Sequence, residues 1–323
     1  MVTNASIEEI CSTLRRLLED AVERNLAEAM LLSGGLDTSI LAVVASRFVP
    51  LKAFTVAFKG APAPDVKYAT LVANNLRLKH FVHCFGEDEL YAVVPRVVEA
   101  MRSFDPVEIR NDVAIHVGLS IAMGEGFNAV MTGDGCDELF AGYSFFFELG
   151  KERLELELRR MWGSMGFSSI TLAETLGMEA RLPYLDPKLK SYAMALDSRH
   201  KVRSHKGRKW GKWVLRRAFE GILPEEVVWR VKTPIESGSG TAILPSFFSR
   251  KIPDAEFEGE RERILREEGV TIRDKEQLFY YEAYRSIIGV PHPTDPEGRV
   301  CPLCNSNVAE RATHCRTCGA YPI

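Results

Sequence analysis

Leu31–Ser39 reads LLSGGLDTS, and this stretch decides the fold that we expect for the chain. An apolar run leads into it and an apolar pattern with helical spacing follows it, so a buried strand should enter a glycine turn and leave as a helix. Glycines without Cβ atoms let backbone N–H groups approach an anion, and the positive end of the helix dipole faces the same place. The stretch therefore predicts a phosphate-binding loop, with an ordinary strand–turn–helix capped by serine as the simpler alternative.

The side chains of this loop suit a polyphosphate that is carried by magnesium. A carboxylate at Asp37 would repel phosphate, but it can hold the metal ion that a polyphosphate brings. The loop lacks the spacing and the lysine of a G-x-x-x-x-G-K-[ST] motif, which disfavours a Walker-type nucleotide hydrolase. The amides and hydroxyls that we expect to hold the phosphates belong to Ser33, Gly34, Gly35, Thr38 and Ser39.

Length and composition indicate a globular protein of the cytoplasm. At 323 residues and 46% hydrophobic, the chain can bury one large core or two smaller ones. No apolar run approaches the roughly 18 residues of a membrane span, and Met1–Glu9 lacks the pattern of a secretion signal. The net charge of −3 gives no overall attraction to nucleic acid or to an acidic membrane. Cys11, Cys84 and Cys136 are scattered, which indicates free thiols in a reducing compartment.

Predicted helices and strands alternate along the first part of the chain. Such alternation predicts an α/β fold, a parallel twisted sheet sandwiched by helices with ligands at the carboxyl ends of its strands. We expect this core to reach about residue 145 and a helical lobe to cover residues 146–289, within a domain of residues 1–289. The expected strands after the first loop are 51–58, 81–85 and 128–131, and the expected helices are 7–25, 65–76, 87–101, 111–123, 260–268 and 273–288.

A second loop, Met131–Tyr143, reads MTGDGCDELFAGY and follows the strand at 128–131. Asp134, Asp137 and Glu138 place three carboxylates close together, which is unfavourable unless a cation neutralises them. A magnesium–pyrophosphate site bound by Asp37 and Asp137 would meet that need. A solvated acidic turn is the alternative.

The last residues predict a metal-binding ribbon. Cys301-x-x-Cys304 and Cys315-x-x-Cys318 form two turns that each offer two thiolates, which suits tetrahedral zinc, with iron as the competing metal. A segment this short has no core of its own, so the metal would supply its folding energy. We expect the ribbon at residues 300–323, after a proline-rich linker at residues 290–299.

Several motifs together resemble one known family. The first loop is similar to the SGGxDS loop of the N-type ATP pyrophosphatases, and the acidic loop is similar to the TGE-G-x-DE-x-F-GGY segment of the asparagine synthetase family. Three later segments continue that resemblance in the family's order, so that it covers roughly Ala27 to Phe248. These segments are GMEARLPYLDP at Gly177–Pro187, KWGKWVLRRAFEGILP at Lys209–Pro224 and VWRVKTPIESGSG at Val228–Gly240.

The resemblance implies an ATP pyrophosphatase fold of the HUP-like class and an ATP-dependent, AMP-forming ligase. Such an enzyme adenylates a carboxylate, here aspartate-like, and forms an amide with ammonia, as in asparagine biosynthesis. Family members that use glutamine begin with a glutaminase domain whose cysteine follows the initiator methionine. Because Val2 stands at that position, we expect this chain to lack that domain and to use free ammonia or a separate glutaminase subunit.

The resemblance also implies roles for individual residues, with ATP, Mg²⁺ and Zn²⁺ as cofactors. The family's magnesium ligands correspond to Asp37 and Asp137, and Lys232 of the W-R-x-K segment faces the charge that develops at the reacting centre. The family's glutamate that handles the amine or the acceptor is replaced by the shorter Asp134, which leaves the acceptor open. The remaining positions contact the nucleotide in the family, through the main chain at Leu32 and Val56 and through Thr132 and Gly133.

Two other functions are kept as alternatives. Enzymes with related loops adenylate a tRNA base for sulfur or nitrogen insertion, and the nine Lys or Arg residues without an acid between Arg199 and Arg217 would suit tRNA. The simpler interpretation of that basic stretch is a solvated face, or the family's own loop beside the ATP phosphates. Insertion of sulfur needs a reactive thiol near the ATP, for which Cys84 and Cys136 are candidates, although packing is the simpler interpretation of both. A nucleotide sensor or scaffold whose ribbon binds a partner is the third hypothesis, and a homodimer is left open.

Overall fold

The computed structural model describes residues 5–323, so Val2 lies outside the described residues. Contacts between residues group the chain into two compact units. The first unit comprises the described residues up to Thr55, together with Pro64–His83 and Gly118–Pro234, and the second comprises Val56–Ala63, Cys84–Val117 and Ile235–Ile323.

A parallel sheet forms the framework of the fold, as the alternating pattern predicted. The strands are β1 Ala29–Leu31, β2 Lys52–Phe58, β3 Lys79–Phe85, β4 Ala129–Met131, β5 Glu179–Arg181, β6 Arg203–His205 and β7 Arg208–Trp210. The sheet has the order β3-β2-β1-β4-β5, and β1 pairs in parallel with both β2 and β4, as β4 does with β5. The strands β6 and β7 form a separate antiparallel hairpin. The predicted α/β fold is therefore confirmed.

Helices account for most of the remaining regular structure. No helix within residues 5–323 has the length and apolar character needed to cross a membrane. Short 3₁₀ turns lie at Ser144–Phe146, Pro183–Leu185, Ser198–His200 and Thr241–Ile243. The α-helices are α1 Ile7–Arg24, α2 Leu36–Ala45, α3 Pro64–Leu76, α4 Glu87–Met101, α5 Pro106–Gly124, α6 Cys136–Phe140, α7 Lys151–Gly163, α8 Ser168–Thr175, α9 Pro187–Ala195, α10 Trp213–Phe219, α11 Glu225–Val228, α12 Ile235–Ser239, α13 Leu244–Lys251, α14 Asp254–Glu268 and α15 Lys275–Ile287.

The core of the first unit is built around α1, which contacts α2, α9 and α10. The helix begins at a capping box, in which the Ser6 hydroxyl accepts from the Glu9 amide and the Glu9 carboxylate accepts from the Ser6 amide. Leu14, Leu18 and Val22 recur at helical spacing and are fully buried. This packing supports the sheet from which both functional loops leave.

The helical lobe was expected at about residues 146–289, whereas contacts group residues 146–234 of it with β1, β4 and β5 in the first unit. One reason is β5, which pairs with β4 at the edge of the sheet and was not predicted, because a three-residue edge strand shows no apolar alternation. A second reason is Arg24 of α1, which donates two hydrogen bonds to the Asp186 carboxylate, at 2.7 and 2.8 Å. Asp186 also caps α9 by accepting from backbone amides.

In the second unit the ribbon is joined by hydrogen bonds to the segment between α4 and α5, to the segment between α14 and α15, and to α15 itself. The Phe104 amide donates to the Thr317 carbonyl at 2.7 Å, and the Thr271 amide donates to the Leu303 carbonyl at 2.7 Å. Gln277 of α15 donates to the Cys318 carbonyl at 2.8 Å. Residues 290–299 contain no helix or strand in the described structure, and they precede a ribbon that is joined to the unit through these hydrogen bonds.

Candidate functional site

The glycine loop between β1 and α2 is held tightly against α3. Gly34 has a φ of +65°, and a Cβ atom there would lie 2.2 Å from the backbone of Tyr68 and of Ala69. Only glycine fits both the conformation and the space. The Ser33 and Thr38 hydroxyls lie 3.1 Å apart, and the Gly35 amide donates to the Ser33 hydroxyl at 3.3 Å. The loop is therefore ordered by its own side chains.

The start of α2 carries polar groups that suit an anion with its metal ion. Gly35 caps the helix without a side-chain hydrogen bond, so the first amides of α2 have no intrahelical acceptor. Asp37 Oδ1 and Ser39 Oγ are buried and have no hydrogen-bond partner among residues 5–323. Such buried oxygens are expected to have a partner, and a bound metal–phosphate group would supply one.

The acidic loop, Met131–Tyr143, begins at the end of β4 and contains α6. Its first residues pack against the glycine loop. A Cβ atom on Gly133 would lie 3.0 Å from Thr38 Cγ2 and 3.3 Å from Asp37 Cβ, so the absence of a side chain allows the two backbones to approach. Tyr184, from the predicted LPYLDP segment, donates its hydroxyl to the Asp37 carbonyl at 3.1 Å. The two loops predicted to share a site are therefore adjacent.

Asp37 and Asp137 meet at the ammonium group of Lys212. The Lys212 Nζ atom lies 2.5 Å from Asp37 Oδ2 and 2.6 Å from Asp137 Oδ1, so the two carboxylates are separated by at most the sum of these distances. Burial alone would lower the pKa of Lys212, but Asp137 and Asp37 outweigh that effect and raise it. Burial would likewise raise the pKa of Asp137, yet Lys212 and Lys232 hold it below its usual value. The two carboxylates are thus close enough to share one cation.

Lys232 approaches the same carboxylate from the W-R-x-K segment. Its Nζ atom lies 3.2 Å from Asp137 Oδ2 and 5.9 Å from the centre of the Tyr143 ring, and its side chain is 33% exposed. Tyr143 donates its hydroxyl to Glu138 at 2.6 Å. Lys232 is therefore a cation that is both paired with the acidic loop and accessible to a ligand.

Arg230, two residues before Lys232, links the glycine loop to α3 by hydrogen bonds. Its guanidinium donates to the Ser33 carbonyl at 2.9 Å and to Asp65 Oδ1 at 2.5 Å, and it lies 4.1 Å from the centre of the Tyr68 ring. Burial raises the pKa of Asp65 against the opposing effect of Arg230. The segment that carries Lys232 is thereby tied to the loop that is expected to bind phosphate.

The predicted catalytic Asp134 is buried beside this cluster. Its carboxylate accepts hydrogen bonds from the Thr132 hydroxyl, at 2.9 Å, and from the Ser169 hydroxyl. Burial raises the pKa of Asp134 despite these two donors. The Thr132 amide donates to the Arg181 carbonyl at 3.0 Å, so the amide and the hydroxyl of Thr132 both have partners within the protein.

The two predicted main-chain adenosine ligands lie in strands or beside them. Leu32 follows β1, and its amide donates to the Phe54 carbonyl at 2.8 Å while its carbonyl accepts from the Thr55 hydroxyl at 2.6 Å. Val56 lies within β2 and belongs to the second unit. The Leu32 carbonyl and amide each have one hydrogen bond within the protein.

A cavity of about 60 Å³ lies at the cluster in the first unit. This volume is far below the roughly 300–1,000 Å³ of a pocket that encloses a whole ligand. The cavity could therefore hold only part of a nucleotide. Basic side chains outnumber acidic ones among the lining residues, which favours an anion. The lining consists of Ser33, Gly35, Leu36, Asp37, Asp65, Lys212, Arg216, Arg230, Val231, Lys232 and Thr233.

Sequence reasoning missed the roles of Lys212, Arg216 and Arg230. All three lie in motifs that were quoted for the family resemblance. The basic stretch that holds Lys212 and Arg216 was interpreted only as a whole, as a solvated face or as the family's loop beside the ATP phosphates, and Arg230 was given no role. Arg216 is buried, and it donates to the Gly211 carbonyl at 3.0 Å and to the Arg230 carbonyl at 3.1 Å. The available signal was their fixed spacing within the K-x-x-L-R and W-R-x-K patterns.

The cysteines outside the ribbon differ in their surroundings. Cys136 is fully buried, and burial, reinforced by the Asp37 carboxylate, raises the pKa of its thiol well above the usual value. A thiol of this kind stays protonated near neutral pH and is a poor nucleophile. Cys84 is exposed on β3.

The ribbon cysteines form a buried cluster that fits a tetrahedral metal ion. The Sγ atoms of Cys301 and Cys318 lie 3.7 Å apart, those of Cys304 and Cys315 lie 3.6 Å apart, and the ligand atoms of all these cysteines lie within 4.8 Å of one another. Sulfurs placed about 2.3 Å from a central zinc ion at tetrahedral angles are about 3.8 Å apart. Asn305 and Gly319, which each follow a cysteine pair, have matching φ values of 62° and 73°.

The fold and the paired loops define a parallel-sheet protein with a candidate site for a polyphosphate. The family model described as "Asparagine synthase" matches residues 13–173 and 171–289. The chain therefore belongs to the asparagine synthase family, and the resemblance on which the sequence analysis relied is confirmed.

Individual relatives agree with this assignment. The chain is 28% identical to asparagine synthetase B [glutamine-hydrolyzing] of Escherichia coli (strain K12), over 86% of this chain and 54% of the relative. It is 30% identical to asparagine synthetase [glutamine-hydrolyzing] of Sandersonia aurantiaca, over 70% of this chain and 47% of the relative. The chain thus spans about half the length of these relatives. Among solved structures, an NH3-dependent NAD synthetase from Campylobacter jejuni aligns with 81% of this chain and 95% of its own, at 12% identity and a TM-score of 0.37.

Proposed function

We propose that the chain is an ATP-dependent, AMP-forming carbon–nitrogen ligase that converts an aspartate-like carboxylate to an amide. The observation that carries the proposal is the convergence of Asp37 and Asp137 on one cation beside the glycine loop. That arrangement is what a magnesium-bound polyphosphate would require of two loops that are distant in sequence. The activities named for the relatives support the same reaction class.

The reaction proceeds in two steps that these residues suit. In the first step an oxygen of the acceptor carboxylate bonds to the α-phosphorus of ATP, and the bond from that phosphorus to the β-phosphate bridge breaks, which releases pyrophosphate. In the second step ammonia attacks the acyl carbon, AMP leaves with the bonding electrons, and the amide loses a proton. The amides and hydroxyls of Ser33, Gly34, Gly35, Thr38 and Ser39 would bind the departing pyrophosphate.

Basic side chains would compensate the charge that develops during both steps. Lys212 and Lys232 lie beside the carboxylates that would hold magnesium, and that ion, when bound, would neutralise the pyrophosphate oxygens. Lys232 is the residue that we assign to the reacting centre, since it is accessible as well as charged. Asp37 and Asp137 are the magnesium ligands that we propose.

Asp134 is our candidate for the residue that handles the amine or the acceptor. Burial raises its pKa, and its hydrogen bonds from Thr132 and Ser169 fix its orientation. The shorter side chain changes its reach relative to the glutamate of the family motif. We therefore leave the acceptor defined by class, a carboxylate of the aspartate type. Thr132, Gly133, Leu32 and Val56 remain proposed nucleotide contacts.

The source of ammonia and the identity of the ribbon metal are further parts of the proposal. We propose free ammonia or a separate glutaminase subunit as the donor, and zinc at Cys301, Cys304, Cys315 and Cys318. The sulfur–sulfur distances support zinc, and the free thiols favour the reducing cytoplasm as the compartment.

Release of pyrophosphate from ATP tests the function directly. The zinc-loaded chain is supplied with MgATP and one acceptor set at a time, namely aspartate with ammonium, or bulk tRNA. We expect release only with aspartate and ammonium. Release that depends on tRNA would instead support base modification, and no release with either would contradict catalysis and favour a nucleotide sensor.

The variant Asp37→Asn tests the assignment of the site. Asparagine keeps the volume but loses the charge that holds magnesium, so we expect at least a 100-fold loss in the rate of pyrophosphate release. Asp20→Ala, at a surface ion pair of α1, serves as the control and should keep the wild-type rate. Normal turnover by Asp37→Asn would show that the metal assignment is wrong.

A further inference from the structure

Lys212 occupies the position between two carboxylates that a metal ion would need. Its side chain is only 3% exposed, and its Nζ atom lies 2.5 Å from Asp37 Oδ2 and 2.6 Å from Asp137 Oδ1. The backbone of Gly142 lies directly over this pair, because a Cβ atom there would be 1.7 Å from Asp137 Oδ1 and 2.3 Å from Lys212 Cε. The ammonium group is therefore enclosed at the junction of the two loops.

The charges at this junction are already balanced without a metal ion. Lys212 contacts both carboxylates, and Lys232 lies 3.2 Å from the second oxygen of Asp137. A divalent cation that entered alone would meet the Lys212 ammonium within a few ångströms, where like charges repel strongly in a buried site. It would also have to displace an ion pair that is fully formed.

We infer that Lys212 is a removable counter-ion that excludes divalent metal until polyphosphate binds. Phosphate oxygens in the adjoining cavity, which Lys212 itself lines, would attract the ammonium and free Asp37 and Asp137 for the metal. The flexible four-carbon stem of lysine allows that displacement. Metal and polyphosphate would then enter together rather than in either order. The role of polyphosphate in this inference rests on the proposed function.

Binding of Mn²⁺ to the zinc-loaded full chain, followed by electron paramagnetic resonance without any nucleotide, tests this exclusion. We expect Lys212→Met to bind Mn²⁺ at least tenfold more tightly than the wild type, because both carboxylates lose their counter-ion. Adding Asp37→Asn to that variant should return the affinity to the wild-type level. Lys206→Met, at an exposed lysine of the same basic stretch, is the matched control and should leave Mn²⁺ affinity unchanged. Equal Mn²⁺ affinity of the wild type and Lys212→Met would overturn the inference.

A second measurement uses the wild type alone, in case Lys212→Met does not fold. Inorganic pyrophosphate is added as the polyphosphate probe, and Mn²⁺ affinity of the protein is compared with and without it. We expect at least tenfold tighter binding with pyrophosphate, after correction for Mn²⁺ bound to free pyrophosphate. Tight binding of Mn²⁺ to the wild type without pyrophosphate, abolished by Asp37→Asn, would contradict exclusion by Lys212. Neither measurement requires turnover. A negative result in the ligase assay can therefore be distinguished from a negative result for Mn²⁺ exclusion by Lys212.

Discussion

At the scale of single residues, Lys201 is a buried cation without an ordinary partner. Its Nζ atom has no hydrogen-bond partner in the described part of the chain, and it lies 4.5 Å from the centre of the Trp162 ring. Burial lowers the pKa of Lys201 to about 7, against the opposing effect of Glu155. The indole N–H of Trp162 in turn donates to the Glu138 carbonyl in the acidic loop, at 3.0 Å. Lys201 is thus linked to the acidic loop through Trp162.

The lowered pKa makes a prediction about stability and pH. Between about pH 7 and pH 10.5 the unfolded chain binds more protons at Lys201 than the folded chain does, so this residue makes stability rise with pH over that range. Lys201→Met removes the buried charge, and its free energy of unfolding should exceed that of the wild type at pH 7 but approach it at pH 10. Urea denaturation at both values measures the difference.

The matched control is Lys206→Met, which removes an exposed lysine that pairs with exposed Glu225. It should change stability little at either pH. A Lys201→Met effect of the same size at pH 7 and pH 10 would contradict the titration that we assign to Lys201.

Two neighbouring glycines of the glycine loop, Gly34 and Gly35, provide a second prediction. Gly34→Ala adds a Cβ atom 2.2 Å from backbone atoms at a φ of +65°, whereas Gly35→Ala places one 3.3 Å from the Ser33 hydroxyl at a φ of −72°. The left-handed conformation alone costs roughly 1–2 kcal/mol for a residue with a Cβ atom, before the clash is counted. Gly34→Ala should therefore lower the melting temperature and weaken pyrophosphate binding much more than Gly35→Ala. Equal effects in calorimetry would contradict the close approach of the loop to α3.

The residue types of the site were predictable only in part. The glycines and the two aspartates follow from chemistry, since phosphate and magnesium require amides and carboxylates near each other. Lys212 was not predictable in the same way, because residue type alone does not distinguish a buried lysine from a solvated one. Its position depends on a turn in which Lys212 itself has a φ of 53° and its amide donates to the Phe140 carbonyl.

At the scale of elements, the ribbon is linked to two segments of the second unit, one between α4 and α5 and the other between α14 and α15. Two hydrogen bonds between backbones, from Phe104 to Thr317 and from Thr271 to Leu303, join them. The Asp105 carboxylate lies 3.2 Å from the imidazole of His314. Loss of structure in the ribbon should therefore weaken hydrogen bonds made by residues that lie before residue 300.

Removal of the ribbon metal provides the prediction at this scale. Chelation should increase hydrogen exchange at the Phe104 and Thr271 amides at least tenfold, because their carbonyl acceptors lie in the ribbon. The Leu32 amide, which donates to the Phe54 carbonyl in the first unit, should keep its exchange rate. Cys301→Ser should reproduce the effect of chelation and Cys84→Ser, at an exposed cysteine outside the cluster, should not. Unchanged protection at Phe104 would contradict the docking of the ribbon.

Element boundaries show where sequence patterns lose information. The helix expected at 111–123 begins at Pro106, because Pro is favoured in the first turn and Asp105 Oδ1 accepts from the Val107 amide at 3.0 Å. The helix expected at 260–268 begins at Asp254, after Pro253. In both cases the prediction missed the first turns of the helix, including the buried Ile109 in the first helix and the buried Phe257 in the second.

At the scale of the whole molecule, the two units do not follow the order of the chain. The second unit combines Val56–Ala63, Cys84–Val117 and Ile235–Ile323, whereas linear domains were expected. Composition and spacing describe neighbours along the sequence, but which distant segments pack together depends on tertiary pairing. The family was predictable at this scale because its motifs keep their order even when its units interleave.

The interleaved second unit also has a consequence for biosynthesis. A ribosome delivers residues in order, so Val56–Ala63 and Cys84–Val117 emerge long before Ile235–Ile323, with which they are grouped. Until translation passes Cys318, these early segments lack their final packing and the proposed metal site lacks its last ligand. An ion bound there could complete this unit only after Cys318 has been made, so a product truncated before Cys318 would expose unpaired thiols and apolar surface to cellular proteases.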